Sequence, residues 1–152
     1  MIVRRWAHFW STLPEDEIEE DGDIVQNGGK SVTFAVADIL RGLGCDVEGP
    51  DYAGDHGWDF NARKGGLTFC GQVTLIEGYW LLFSNPSWID RIFRRQPPVY
   101  LELLQGLARE LVADSRFSGV KWFDDDHGGS EKSPGASGPV DEMPRRSDKR
   151  KR

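Results

Sequence analysis

His56 is the residue at which chemistry could start. It stands among Asp51, Tyr52, Asp55, Trp58 and Asp59, a set able in principle to ligate a metal or to place an imidazole beside a carboxylate as a general base. The chain's other two histidines, His8 and His127, are far away in sequence. Asp59 follows Trp58 in an alternating pattern, so it points away from Trp58 onto the solvated face of a strand. The same residues also read as a polar connecting loop, and as a loop held on a sheet for recognising a partner.

Two other groupings invite a chemical reading. Gly29, Lys30 and Ser31 precede a helical pattern, as in a loop whose backbone N–H groups wrap phosphates. That pattern needs glycine at a position held here by Ile24, and an acidic stretch replaces the buried strand that should come before it. Helix-start glycines with Ser31 as the cap are the simpler expectation. Trp6, His8 and Trp10 alternate and could stack on bases, although packing beneath a helix with the histidine hydrogen-bonded is the expected arrangement.

No Gly-x-Ser-x-Gly elbow, His-Glu-x-x-His motif or spaced Cys and His set occurs. No catalytic residue, metal ligand or cofactor is therefore assigned, and the chain reads as non-enzymatic. The alternative enzyme is a small metal-dependent or hydrolytic one centred on His56. Cys45 and Cys70 lack the spacing of a metal motif and the density of a disulfide scaffold. They read as reduced, packed thiols, with a bridge between them open if the protein is exported.

Charge is the stronger signal. Glu15, Asp16, Glu17, Glu19, Glu20, Asp21 and Asp23 put seven carboxylates into nine residues, while Arg145, Arg146, Lys149, Arg150, Lys151 and Arg152 put six cations into the last eight. The net charge of −6 belongs entirely to residues 1–123, because acids and bases balance in residues 124–152. All aromatic residues also lie in 1–123. The remainder has almost no large apolar side chains and cannot offset the entropy of ordering, so a single domain over 1–123 and a disordered tail over 124–152 are expected. The apolar run at Met1–Trp10 is too short and too interrupted for a signal or a membrane span, which makes a cytoplasmic location the default and a membrane partner unexpected.

The elements follow from periodicity. Val3–Trp10 alternates as a strand, and the acidic stretch, with sparse Leu13, Ile18, Ile24 and Val25, reads as a loop with one docked turn. Val32, Val36, Ile39, Leu40 and Leu43 recur at helical spacing. Four strand patterns follow, at Cys45–Glu48, Trp58–Arg63, Leu67–Leu75 and Tyr79–Phe83, with Glu77–Gly78 as a hairpin turn. Ser87 and Asp90 cap a short helix that buries Trp88, Ile89, Ile92 and Phe93. After Pro97 and Pro98 another helix buries Leu101, Leu104, Ala108, Leu111 and Val112, and Val120 and Trp122 return as a last strand. This order predicts an α+β fold: an antiparallel sheet of about five to six strands, with two or three helices mainly on one face.

A negative body with Trp-rich antiparallel strands, such as Gly57, Trp58, Asp59, Phe60 and the closing Lys121, Trp122, Phe123, resembles the small acidic α+β immunity and antitoxin-like proteins of bacteria. The resemblance spans about residues 1–123 at the level of architecture. It implies a one-to-one inhibitor that blocks a cognate toxin. From the charges, the binding surface for a basic protein partner is expected at Glu15, Asp16, Glu17, Glu19, Glu20, Asp21, Asp23, Asp51, Asp55, His56 and Asp59. The alternative partner is nucleic acid, held weakly and salt-sensitively by Arg145, Arg146, Lys149, Arg150, Lys151 and Arg152, which lie outside the immunity pattern.

Overall fold

The structure is a computed structural model. It describes residues 1–93, 95–124 and 134–141, with Trp88 described by its backbone only. The chain is α+β, and its centre is a six-stranded antiparallel sheet.

Among the described residues, ten strands and three α-helices run in the order β1 (Ile2–Val3), β2 (Trp6–Ser11), β3 (Ile18–Glu20), β4 (Asp23–Gln26), α1 (Lys30–Gly42), β5 (Asp46–Tyr52), β6 (Trp58–Lys64), β7 (Leu67–Leu75), β8 (Tyr79–Ser84), α2 (Trp88–Ile92), α3 (Pro98–Ala113), β9 (Phe117–Phe123) and β10 (Val140–Asp141). The central sheet has the order β5-β6-β7-β8-β2-β9. Strand β2 is therefore inserted between β8 and β9. Its alternation sends Ala7 and Phe9 into the core and Trp6, His8 and Trp10 to the other side.

The core lies on one side of this sheet. Phe60, Phe69, Val73, Leu81 and Phe83 meet Val36 and Leu40 of α1 and Leu104, Leu107 and Leu111 of α3. Among the described residues, no helix packs a core against the sheet's opposite face. Gly71 faces inward, and the Phe60 ring lies over it so closely that an added Cβ would collide with the ring. The ring fills the space a side chain would have occupied.

Helix α3 turns a different face inward from the one expected. Tyr100, Leu103 and Leu107 are buried beside Leu104, Ala108 and Leu111, while Val112 is exposed and Leu101 only half-buried. The Tyr100 hydroxyl donates to the Phe83 carbonyl at 2.6 Å and fixes this rotation. Helix α2 departs further. Ser87 caps it as expected, accepting from the Asp90 N–H, but Ile89, Ile92 and Phe93 are exposed. A helix of five residues cannot reach a core whose covered face α1 and α3 already fill.

The boundary expected at Phe123 does not mark the end of packed chain. Residues 134–141 return as a strap. Ala136 and Trp122 exchange backbone hydrogen bonds, the Arg4 N–H donates to the Pro139 carbonyl, and β10 pairs with β1. The Arg4 guanidinium adds bonds to the Gly138 carbonyl and the Asp141 carboxylate. These are backbone contacts with one ion pair, a kind of adhesion that apolar content does not report. The basic end from Arg145 to Arg152 lies outside the described residues. So does His127.

Candidate functional site

The acidic stretch is a β-hairpin rather than a loop. β3 and β4 pair across a turn at Asp21 and Gly22, both at positive φ, and form a separate two-stranded sheet. Every residue from Glu17 to Val25 is exposed, including Ile18, Ile24 and Val25. Glu20 stands directly opposite Asp23, a like-charge pairing that opposes the hairpin's own formation. An isolated two-stranded hairpin is marginal in water, so the base must hold it.

Glu15 and Asp16 form that base. The Glu15 carbonyl accepts the Gly29 N–H at 2.7 Å. This approach needs glycine at position 28, where a Cβ would fall 2.6 Å from the Glu15 carbonyl oxygen. The Asp16 carboxylate accepts the Ser31 N–H at 2.7 Å. It places negative charge on a helix N-terminus whose first N–H groups have no intrahelical partner. Ser31 is thus capped rather than capping; the residue at the cap position is Gly29, at φ 114. Gln26 completes the base by donating to the Asp16 carbonyl.

Asn27 then joins the hairpin to the second acidic segment. Its backbone N–H donates to the Tyr52 hydroxyl at 3.2 Å, its side-chain amide donates to the Gly54 carbonyl at 2.9 Å, and its carbonyl accepts the Trp58 indole N–H at 3.1 Å. Tyr52 and Trp58 pack with ring centroids 5.2 Å apart. Asp55 and His56 lie in a short 3-10 turn, Gly54–His56, beside this joint, and both are exposed. The His56 carbonyl is held by the side chains of Gln72 and Thr74, whereas its imidazole has no hydrogen bond among the described residues. No group of three His, Cys, Asp or Glu side chains gathers at metal-binding distance among the described residues.

The remaining two predicted residues part from the hairpin. Asp51 and Asp59 are directly opposite each other on β5 and β6 and so share a face. Asp59 borders a depression of about 170 Å³ together with Asn61, Cys70, Gln72, Leu82 and Ser84, on the helix-free face of the sheet. The Cys70 thiol is pushed up by burial, with the Asp59 charge adding to the effect. It stays protonated at neutral pH and is a poor nucleophile. Cys45 is buried, and both cysteines are free.

This face also carries an aromatic group that sequence reasoning placed beneath a helix. The rings of His8 and Trp80 lie 4.6 Å apart, His8 meets Trp10 edge-on at 5.6 Å, and Trp80 reaches Phe123 at 5.4 Å. His8 is hydrogen-bonded, as expected, to the Glu77 carbonyl at 2.7 Å. Trp10 is 54% exposed. The alternation identified these side chains as one face but carried no sign of which face the helices cover.

None of the seven hairpin acids, nor Asp51, Asp55 or Asp59, has an ion-pair partner among the described residues. No helix among the described residues is long and apolar enough to cross a membrane. No family model, no curated protein and no solved structure matches this chain.

Proposed function

We propose that this protein is a non-enzymatic protein-binding module, an immunity- or antitoxin-like inhibitor that engages a basic partner protein through the acidic hairpin and the adjoining Gly54–His56 turn. One observation carries the reading: an exposed hairpin whose carboxylates have no ion-pair partner among the described residues and whose Ile18, Ile24 and Val25 are exposed between them. Unpaired like charges and bare apolar groups both oppose the hairpin in isolation. A cationic partner with apolar groups at its contact surface would relieve both. The rigid base at Asp16 and Asn27 limits the ordering cost of such an encounter, and the negative field speeds it.

The test is capture of the partner by tagged protein, followed by the affinity of the purified pair across a salt series. Changing Glu17, Glu19 and Glu20 to Gln should weaken binding by about tenfold or more at low salt, mainly through slower association, and flatten the salt dependence. Binding that ignores both the substitutions and salt would eliminate the hairpin as the contact.

A further inference from the structure

The helix-free face of the sheet has an order across the strands that the hairpin reading does not use. Paired positions place Asp51, Asp59, Gln72, Leu82, Trp6 and Phe123 in one row, from the β5 edge to β9. The row begins with two carboxylates that have no ion-pair partner among the described residues, crosses an amide and a leucine, and ends on aromatic rings. Three strand spacings separate Asp59 from Trp6, roughly 14 Å, which an extended peptide covers in about four residues.

The depression at the acidic end has the chemistry of a guanidinium site. Gln72 commits its NH₂ group to the His56 carbonyl at 2.8 Å, so its amide oxygen remains for a donor. With the Asp59 carboxylate, the Asn61 amide and the Ser84 hydroxyl, it lines the depression with acceptors of differing direction. Such a set matches the five N–H donors of arginine better than the compact ammonium of lysine. Asp51 opposite Asp59 is a like-charge pair that a guanidinium would relieve. Phosphates do not fit here. Arg63, on this face, is paired with Glu48, and Lys121 stands opposite His8 at the far, aromatic end.

We propose that this open face docks an arginine-bearing extended segment of a protein partner, its guanidinium in the Asp59 depression and an apolar residue about four positions along the segment on Trp6. The inference rests on the protein-binding reading but assigns a contact separate from the hairpin.

The test is an NMR titration of the full chain with the capped peptide acetyl-Arg-Gly-Gly-Gly-Phe-amide. The side-chain amides of Asn61 and Gln72 and the indole N–H of Trp6 should shift together and saturate. Replacing the peptide's arginine by citrulline, or Asp59→Asn in the protein, should weaken binding by about tenfold, as loss of a charge-assisted contact does. Changing Glu17, Glu19 and Glu20 to Gln should leave this affinity within about twofold, since those exposed side chains do not line the depression and salt screens exposed charges. Equal binding of the citrulline peptide, indifference to Asp59→Asn, or shifts confined to hairpin amides would overturn the proposal. The last result would leave the hairpin reading standing. Binding of a single-stranded oligonucleotide at the same amides, in competition with the peptide, would overturn it in favour of stacked bases.

Discussion

The Asp16 carboxylate and the Ser31 backbone N–H meet at 2.7 Å, so α1 is capped from fifteen positions upstream by the first turn of the acidic segment. Acid in this stretch therefore has two uses. Asp16 and the Glu15 carbonyl hold the segment to the body, and the acids from Glu17 to Asp23 face solvent. Asp16→Ala should lower unfolding stability by about 1 kcal/mol, the usual cost of losing a helix cap. Glu17→Ala should change it by less than about 0.5 kcal/mol, as surface substitutions do. Urea denaturation of the two variants separates them.

Two tyrosine hydroxyls make a second contrast. Tyr100 donates to the Phe83 carbonyl, while the Tyr79 hydroxyl is buried with no partner among the described residues. Tyr100→Phe should cost about 1 kcal/mol and Tyr79→Phe should be neutral or stabilising. Burial, with the charges of Glu15 and Asp16, pushes the Tyr79 hydroxyl up to about 12. A raised folded value stabilises the protein below the unfolded tyrosine value of about 10, and that contribution is lost as pH climbs towards 12. Tyr79→Phe should accordingly flatten the alkaline limb of a stability profile measured from pH 8 to 12.

Gly71 is the position where a single methyl should be felt most directly. Its inward face is filled by the Phe60 ring, so Gly71→Ala should cost about 1–3 kcal/mol through overpacking. Combining it with Phe60→Leu should recover part of the loss. A double-mutant cycle from chemical denaturation measures that coupling.

The strap responds to acid. The Arg4 guanidinium hydrogen-bonds the Asp141 carboxyl and holds it below the usual carboxylate range. A lowered folded value stabilises above the unfolded value of about 3.9 and is lost as pH falls through the folded one. The Arg4 amide, bonded to the Pro139 carbonyl, should lose protection below about pH 4 before the central sheet does. Arg4→Gln should remove that dependence. A chain ending at Phe123 should be less stable than one ending at Asp141 by about 1–3 kcal/mol, the worth of a few net backbone hydrogen bonds.

The parts of this fold that were legible in sequence are those written in apolar period. Helix α1 and strands β6, β7, β8 and β9 fall where Val32 to Leu40, Trp58 to Ala62, Leu67 to Leu75, Tyr79 to Phe83 and Trp122 recur. Hydrogen bonds between distant backbones leave no such trace, and they account for the rest. The hairpin was hidden because its Ile18, Ile24 and Val25 face water. Residues 134–141 were hidden because glycine, proline and serine adhere there through carbonyls and one arginine. The rotation of α3 depends on where the Phe83 carbonyl lies, which no local spacing encodes. Of the candidate site, the acidic residues were identifiable from charge alone. Their division between a hairpin joined at Asn27 and an open face at Asp59 follows from strand pairing.

Placement of β2 between β8 and β9 sets an order of events during synthesis. Strand β2 leaves the ribosome before both of its partners, which begin at Tyr79 and Phe117, and closing such long loops slows folding. Until then Trp6, Phe9 and Trp10 travel on a nascent chain with both strand edges open. The exposure is greatest in that interval, so conditions that delay elongation past Phe83 should be those in which this protein most depends on chaperones.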